Sequence, residues 1–175
     1  MAESDCYYIC GTSKTVAPGL RIGYLIAPAR MVQYLSNAVH ATTWSAPPLN
    51  AEIVTSWIES GTAERILDLH RAESGRRIAM ARRILAGFDT VIPDAGYHLW
   101  LRLPEEWRNA DLVQAAHANG VAVSPSNLFA VDPTDAQPAI RVSIGLPDTA
   151  DLVEQGLVRL RDTLLGYNMP KNLII

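Results

Sequence analysis

Residues 13–28 read SKTVAPGLRIGYLIAP, and the fold turns on them. Upstream, CYYIC (6–10) is an apolar run of strand length and reads as a short buried strand. Downstream, LRIGYLIA (20–27) reads as a second strand, closed by Pro28. Lys14 therefore sits on a polar turn between two strands, at a sheet edge where ligands commonly meet α/β folds. Its primary amine can form a Schiff base with a carbonyl. Arg21 follows after Pro18-Gly19, a dipeptide that can fold the chain back on itself. A fixed guanidinium there can hold a phosphate through paired hydrogen bonds. On spacing alone, an ordinary solvated lysine and a strand-edge arginine account for the segment at least as well.

Working outward, Met31, Val32, Leu35 and Val39 recur at helical spacing over about 29–46, up to Pro47-Pro48. A second helix is predicted from that proline pair to Ser60-Gly61. The longest periodic stretch covers 63–87, with Ile66, Leu69, Ile78, Ala81, Ile84 and Leu85 on one stripe and five arginines between. Gly75 falls mid-pattern, as a hinge or as a tolerated cost of about 1 kcal/mol. In TVIPDAGYHLWLRLP (90–104), Tyr97, Leu99, Leu101 and Leu103 alternate with His98, Trp100 and Arg102, the period of a strand. A short helix follows from Ala110, with Asn109 as its N-cap and Gly120 as its stop. VAVS (121–124) and AIRVSI (139–144) read as strands. A last helix from Asp148 is predicted to bury Leu152, Leu157, Leu160 and Leu164. The order from residue 90 suggests a small α/β sandwich, and the opening forty residues part of a different, larger sheet.

The 175 residues carry a net charge of −3 and are 49% hydrophobic, enough for one domain or two small ones with a core. No run approaches the roughly 20 apolar residues that span a bilayer, so no membrane partner is expected. The acidic start MAESDCYY lacks a secretory pattern, and two cysteines make no disulfide framework, which together point to the cytoplasm. Acids outnumber bases, so no broad footprint for nucleic acid is visible. Of the fifteen basic residues only Lys14 and Lys171 are lysines, which leaves lysine chemistry two places to happen.

An amine for an aldehyde and an arginine for a phosphate is the pairing that pyridoxal phosphate requires. The string SKTVAPGLRIGYLIAP closely resembles the lysine segment of fold-type-I pyridoxal-phosphate aminotransferases (class I/II), nearest to the C-terminal aminotransferase-like domain of MocR/GntR-type transcriptional regulators. AGYHLWLRLP (95–104), GVAVSPSNLFA (120–130) and AIRVSIGLPD (139–148) resemble later segments of that family in the same order. The resemblance implies an α/β chain made of the end of the large-domain sheet and a small α/β domain. It divides the chain into 1–60, the end of the pyridoxal-phosphate-binding large domain; 61–89, a connecting helix; and 90–175, the small domain.

It implies pyridoxal 5'-phosphate as cofactor, with Lys14 as the Schiff-base lysine and Arg21 as a phosphate ligand. Gly11 stands where the family usually has Ser or Thr, which leaves Thr12 or Ser13 to supply that hydroxyl. Arg141 would bind the α-carboxylate of an amino-acid substrate or effector. Ser126 replaces a usual glycine. A homodimer is implied, with Asn37, Thr42, Thr43 and Trp44 approaching the subunit interface. The family's acid at the pyridine nitrogen, stacking ring and phosphate loop precede the lysine segment, as would any DNA-binding winged helix. The chain thus resembles the C-terminal half, and little transaminase activity is expected of it alone. The alternative reading is an effector-sensing module of a transcriptional regulator.

Other residues read more plainly. Arg141 lies in an apolar strand, where a guanidinium calls for an anion, a ligand or one of the chain's own acids. His98 faces the site or is a solvent-side or interdomain histidine. The histidines and cysteines show no metal spacing, so no metal site is proposed. Cys6 and Cys10 read as buried small hydrophobes. The arginines of 71–83 are interspersed with acids and read as a solvated or interdomain face.

Overall fold

Two glycines face each other where the first strands meet. β1 (Tyr8–Gly11) and β2 (Gly23–Ile26) pair antiparallel, with Gly11 opposite Gly23 and Tyr8 opposite Ile26. The structure, a computed structural model, describes residues 6–132 and 137–166; Lys171 lies outside the described residues. The chain divides between His70 and Arg71 into two compact units.

The first unit continues with α1 (Ala29–Thr43) and α2 (Pro48–Glu59) and enters α3 (Thr62–Ile84). Pro48 opens α2, where the N–H it lacks would have no helical partner anyway. Gly61 takes φ 71° directly after α2, the left-handed stop that the sequence indicates. Helical conformation runs through Gly75, and a Cβ there would meet nothing within 4 Å, so glycine is tolerated in α3 rather than required. The expected burial of the first strand is not found. Ile9 and Ile26 are 80% and 64% exposed, because a two-stranded ribbon offers each strand one neighbour. Cys6 is exposed and Cys10 half-buried, both as free thiols, so they are not the buried small hydrophobes expected.

The second unit holds β3 (Thr90–Val91), β4 (His98–Arg102), α4 (Asn109–Ala118), β5 (Ser124–Pro125), β6 (Ala139–Ser143) and α5 (Ala150–Leu164). Its strands lie in the order β3-β4-β6-β5, every pair antiparallel. Alternation sends Leu99, Leu101, Ile140 and Val142 to one face, where they pack with Ile78, Leu112, Leu157 and Leu160 from the helices. Each such side chain, fully buried, stabilises by about 1.5–3 kcal/mol. His98, Trp100, Arg141 and Ser143 belong to the opposite face, with Trp100 in register with Arg141 and His98 with Ser143.

Several local expectations shift. The strand expected at 121–124 shrinks to Ser124–Pro125, and β3 was not foreseen because two residues carry no period. Asn109 is the first helical residue of α4 rather than its cap; its side chain reaches across to Ser126 and the backbone N–H of Ala139 instead. α5 begins at Ala150, where Thr149 accepts from the Leu152 N–H, and Leu152 itself is half exposed while Leu157, Leu160 and Leu164 are buried. The arginines of α3 are largely engaged: Arg76 and Arg77 with Glu73, Arg82 with Asp94, and Arg83 with Glu154. Buried Arg77 also donates to the carbonyls of Ile144 and Pro147, tying the exit of β6 to α3. Between those carbonyls, Gly145 lies so close to the Tyr97 ring that a Cβ would stand 2.7 Å from it.

Candidate functional site

The loop between β1 and β2 is closed by one residue pair. Thr12 donates to the Ile22 carbonyl from both its backbone N–H and its hydroxyl, each at 3.0 Å, and both residues are buried. Ser13 follows the first member of the pair and Arg21 precedes the second. The closure therefore brings the Ser13-Lys14 end and the Arg21 end of the loop together. Val16 and Ala17 N–H groups return to the Thr12 carbonyl, curling Lys14 into a tight turn where its side chain is exposed. A 3-10 turn at Pro18–Leu20 completes the loop, and Asn50 of α2 holds it by donating to the Leu20 carbonyl at 3.0 Å.

Arg21 caps that turn with φ 54° and ψ 31°, a left-handed conformation that glycine adopts freely and arginine does not. Strain of this kind gathers where a side chain must be placed for a purpose. Of the two candidate hydroxyls, that of Thr12 donates inward to backbone, and Ser13 is the less buried.

Arg141 belongs to the second unit. It is partly buried on β6, and its Nε is buried without a hydrogen-bond partner among the described residues. Its guanidinium carbon lies 4.5 Å from the centre of the Phe129 ring, which meets the Trp100 ring edge-on at 5.4 Å and 84°. Phe129 is set by the turn before it: its N–H donates to the Ser126 carbonyl, and Ser126, buried, donates to the Gln137 carbonyl at 2.7 Å. Ser126 does so at negative φ, so serine in place of glycine strains nothing at this turn. Phe129 and Trp100 went unnoticed as functional residues in the sequence. The alternation of 97–103 puts Trp100 on the face opposite the leucines, but its pairing with Arg141 depends on strand register.

The family model for aminotransferase class I and II matches residues 2–156. The chain belongs to this family. This aminotransferase-family chain is 32% identical over 163 residues to the uncharacterized HTH-type transcriptional regulator YdeF of Bacillus subtilis, covering 93% of itself and 35% of that protein. It is 26% identical to the 2-aminoadipate transaminase of Thermus thermophilus, covering 91% of itself and 41% of the relative. Among solved structures, the kynurenine aminotransferase of Pyrococcus horikoshii superposes with TM-score 0.82 at 21% identity, over 93% of this chain and 41% of its own. The multiple substrate aminotransferase of Thermococcus profundus gives TM-score 0.82 at 22% identity, over 92% and 41%. The fold-type-I architecture expected from the lysine segment therefore holds, and the chain spans about a third to two fifths of these relatives. Among the described residues no helix is long and apolar enough to cross a membrane.

Proposed function

We propose that this chain is a pyridoxal-phosphate-binding, aminotransferase-like domain that recognises an amino acid through its carboxylate. The observation that carries the reading is the closed loop 12–22, which gathers an exposed amine, a hydroxyl and a strained arginine at one place. These groups fit the cofactor: Arg21 and Ser13 would hold its phosphate, and Lys14 Nζ would meet its aldehyde carbon. Bound there, pyridoxal phosphate supplies the aldehyde and the electron-withdrawing ring that make an amino group transferable. The same Lys14 Nζ is the base of this loop that would take the substrate's α-proton and return it. Arg141 binds the α-carboxylate, consistent with a buried Nε that no acceptor among the described residues satisfies. On this reading the first unit belongs to the cofactor-binding domain and the second to the small domain, and the protein works as a homodimer.

The test is visible absorbance after adding pyridoxal phosphate. Wild type and Lys171→Ala should develop the band of the bound cofactor, and Lys14→Ala should not. Equal spectra for wild type and Lys14→Ala sink the proposal.

A second reading, the effector-sensing domain of a transcriptional regulator, is favoured by the match to YdeF over nearly the whole chain. The amino acid would then be a signal rather than a substrate. A winged-helix segment upstream in the same reading frame would decide for it.

A further inference from the structure

We infer that Phe129, backed by Trp100, is a positioning residue that fixes the Arg141 guanidinium for its carboxylate ligand; this rests on the reading of Arg141 given above. An arginine side chain carries rotamer freedom worth about 2 kcal/mol, all of which must be lost before it can grip an anion. Hydrogen bonds usually remove that freedom in advance, yet Arg141 Nε has no acceptor among the described residues. The guanidinium instead lies 4.5 Å from the centre of the Phe129 ring. A ring attracts a cation without consuming a single N–H donor, so the guanidinium can be held while its donors stay available to a ligand. A carboxylate in that place would neutralise the charge and occupy the very donors the ligand needs.

The ring is itself held from two sides. Trp100, in register with Arg141 on the neighbouring strand, meets Phe129 edge-on. From the other side, Asn109 donates to Ser126, Ser126 to the Gln137 carbonyl, and the Phe129 N–H to the Ser126 carbonyl. Asn109 also accepts from Ala139, two residues before Arg141 on β6. One asparagine thus fixes the turn carrying the ring and the strand carrying the arginine.

The test uses the full chain and propionate, a bare carboxylate, with propionamide as the uncharged control. Phe129→Leu keeps an apolar side chain and removes the ring; we expect propionate to bind about three- to tenfold more weakly. Phe129→Tyr should restore wild-type binding, which a packing role alone would not require. In wild type the Arg141 side-chain NMR signals should be displaced by the ring current of Phe129 and return toward ordinary positions in Phe129→Leu. Unshifted wild-type signals overturn the inference whatever the variants do. So does Phe129→Leu binding propionate as wild type does while Arg141→Met fails to bind. Should Arg141→Met bind propionate normally, the carboxylate reading beneath the inference falls instead.

Discussion

Arg21 shows how much one backbone conformation can say. Its φ of 54° costs a residue with a Cβ about 1–2 kcal/mol, and nothing in the residue type announces it. The sequence marked Arg21 through its distance from Lys14 and the Pro-Gly between them; the strain is an independent sign at the same position. Two substitutions separate backbone from side chain. Arg21→Ala and Arg21→Gly both remove the guanidinium, and both should abolish pyridoxal phosphate binding. In native-state hydrogen exchange of the Thr12, Val16 and Ala17 amides, the loop should nonetheless be more stable in Arg21→Gly than in Arg21→Ala by about 1 kcal/mol, because glycine accepts the left-handed conformation. Equal stabilities would mean that the turn relaxes when the arginine is lost. Thr12 makes the complementary point. Its hydroxyl looked as available as that of Ser13 in the sequence, and only the folded loop shows it donating to Ile22.

Among the elements, the long periodic ones were legible and the short ones were not. α3 and α5 each repeat an apolar stripe over many turns, so composition averages in their favour. β3 and β5 are two residues each and exist only because β4 and β6 offer them edges. Asn109 was misplaced for a related reason: its preference for helix starts is local, and its actual partners, Ser126 and Ala139, are remote in sequence. Buried Arg77 was hidden in the same way, among arginines that read alike.

Arg77 joins α3 to the exit of β6, and Glu73 balances its charge at 2.7 Å. Hydrogen bonds from Arg77 and then Arg76 hold the Glu73 carboxyl below its ordinary value of 4.5. A carboxyl lowered by folding stabilises fully above the unfolded value, and the contribution disappears as pH falls through the folded one. The stability gap between wild type and Glu73→Gln should therefore be constant near neutrality and begin to close below about pH 4.5. Chemical unfolding across that range measures it; a gap independent of pH would show that the pair contributes only as packing.

At the scale of the whole molecule, apolar burial is divided unequally between the units. Every residue of the main buried cluster, from Ile78 to Leu164, belongs to the second unit, where one sheet face is packed by three helices. Before residue 71, Ile22 and Val54 are the buried hydrophobics among the described residues. Tyr8, Ile9, Leu25 and Ile26 on the ribbon, and Tyr34 and Trp44 around α1, are exposed instead. Composition could not reveal this asymmetry, because the apolar residues are spread along the whole sequence while the packed layers are not. The lysine segment, singled out in the sequence by resemblance rather than by spacing, lies on the less buried unit. Stability should follow the core rather than the site. A polypeptide of residues 71–175 should fold alone and unfold cooperatively, since the sheet, α4, α5, the buried cluster and every buried residue of α3, from Ser74 to Ile84, are internal to it although the first turns of α3 are not. One of residues 1–70 should show no cooperative transition, because two buried hydrophobics cannot offset the entropy of ordering that many residues. Circular dichroism and urea titration of the two pieces distinguish the cases, and a cooperative transition in 1–70 would show that the ribbon and its helices hold together by contacts other than apolar burial.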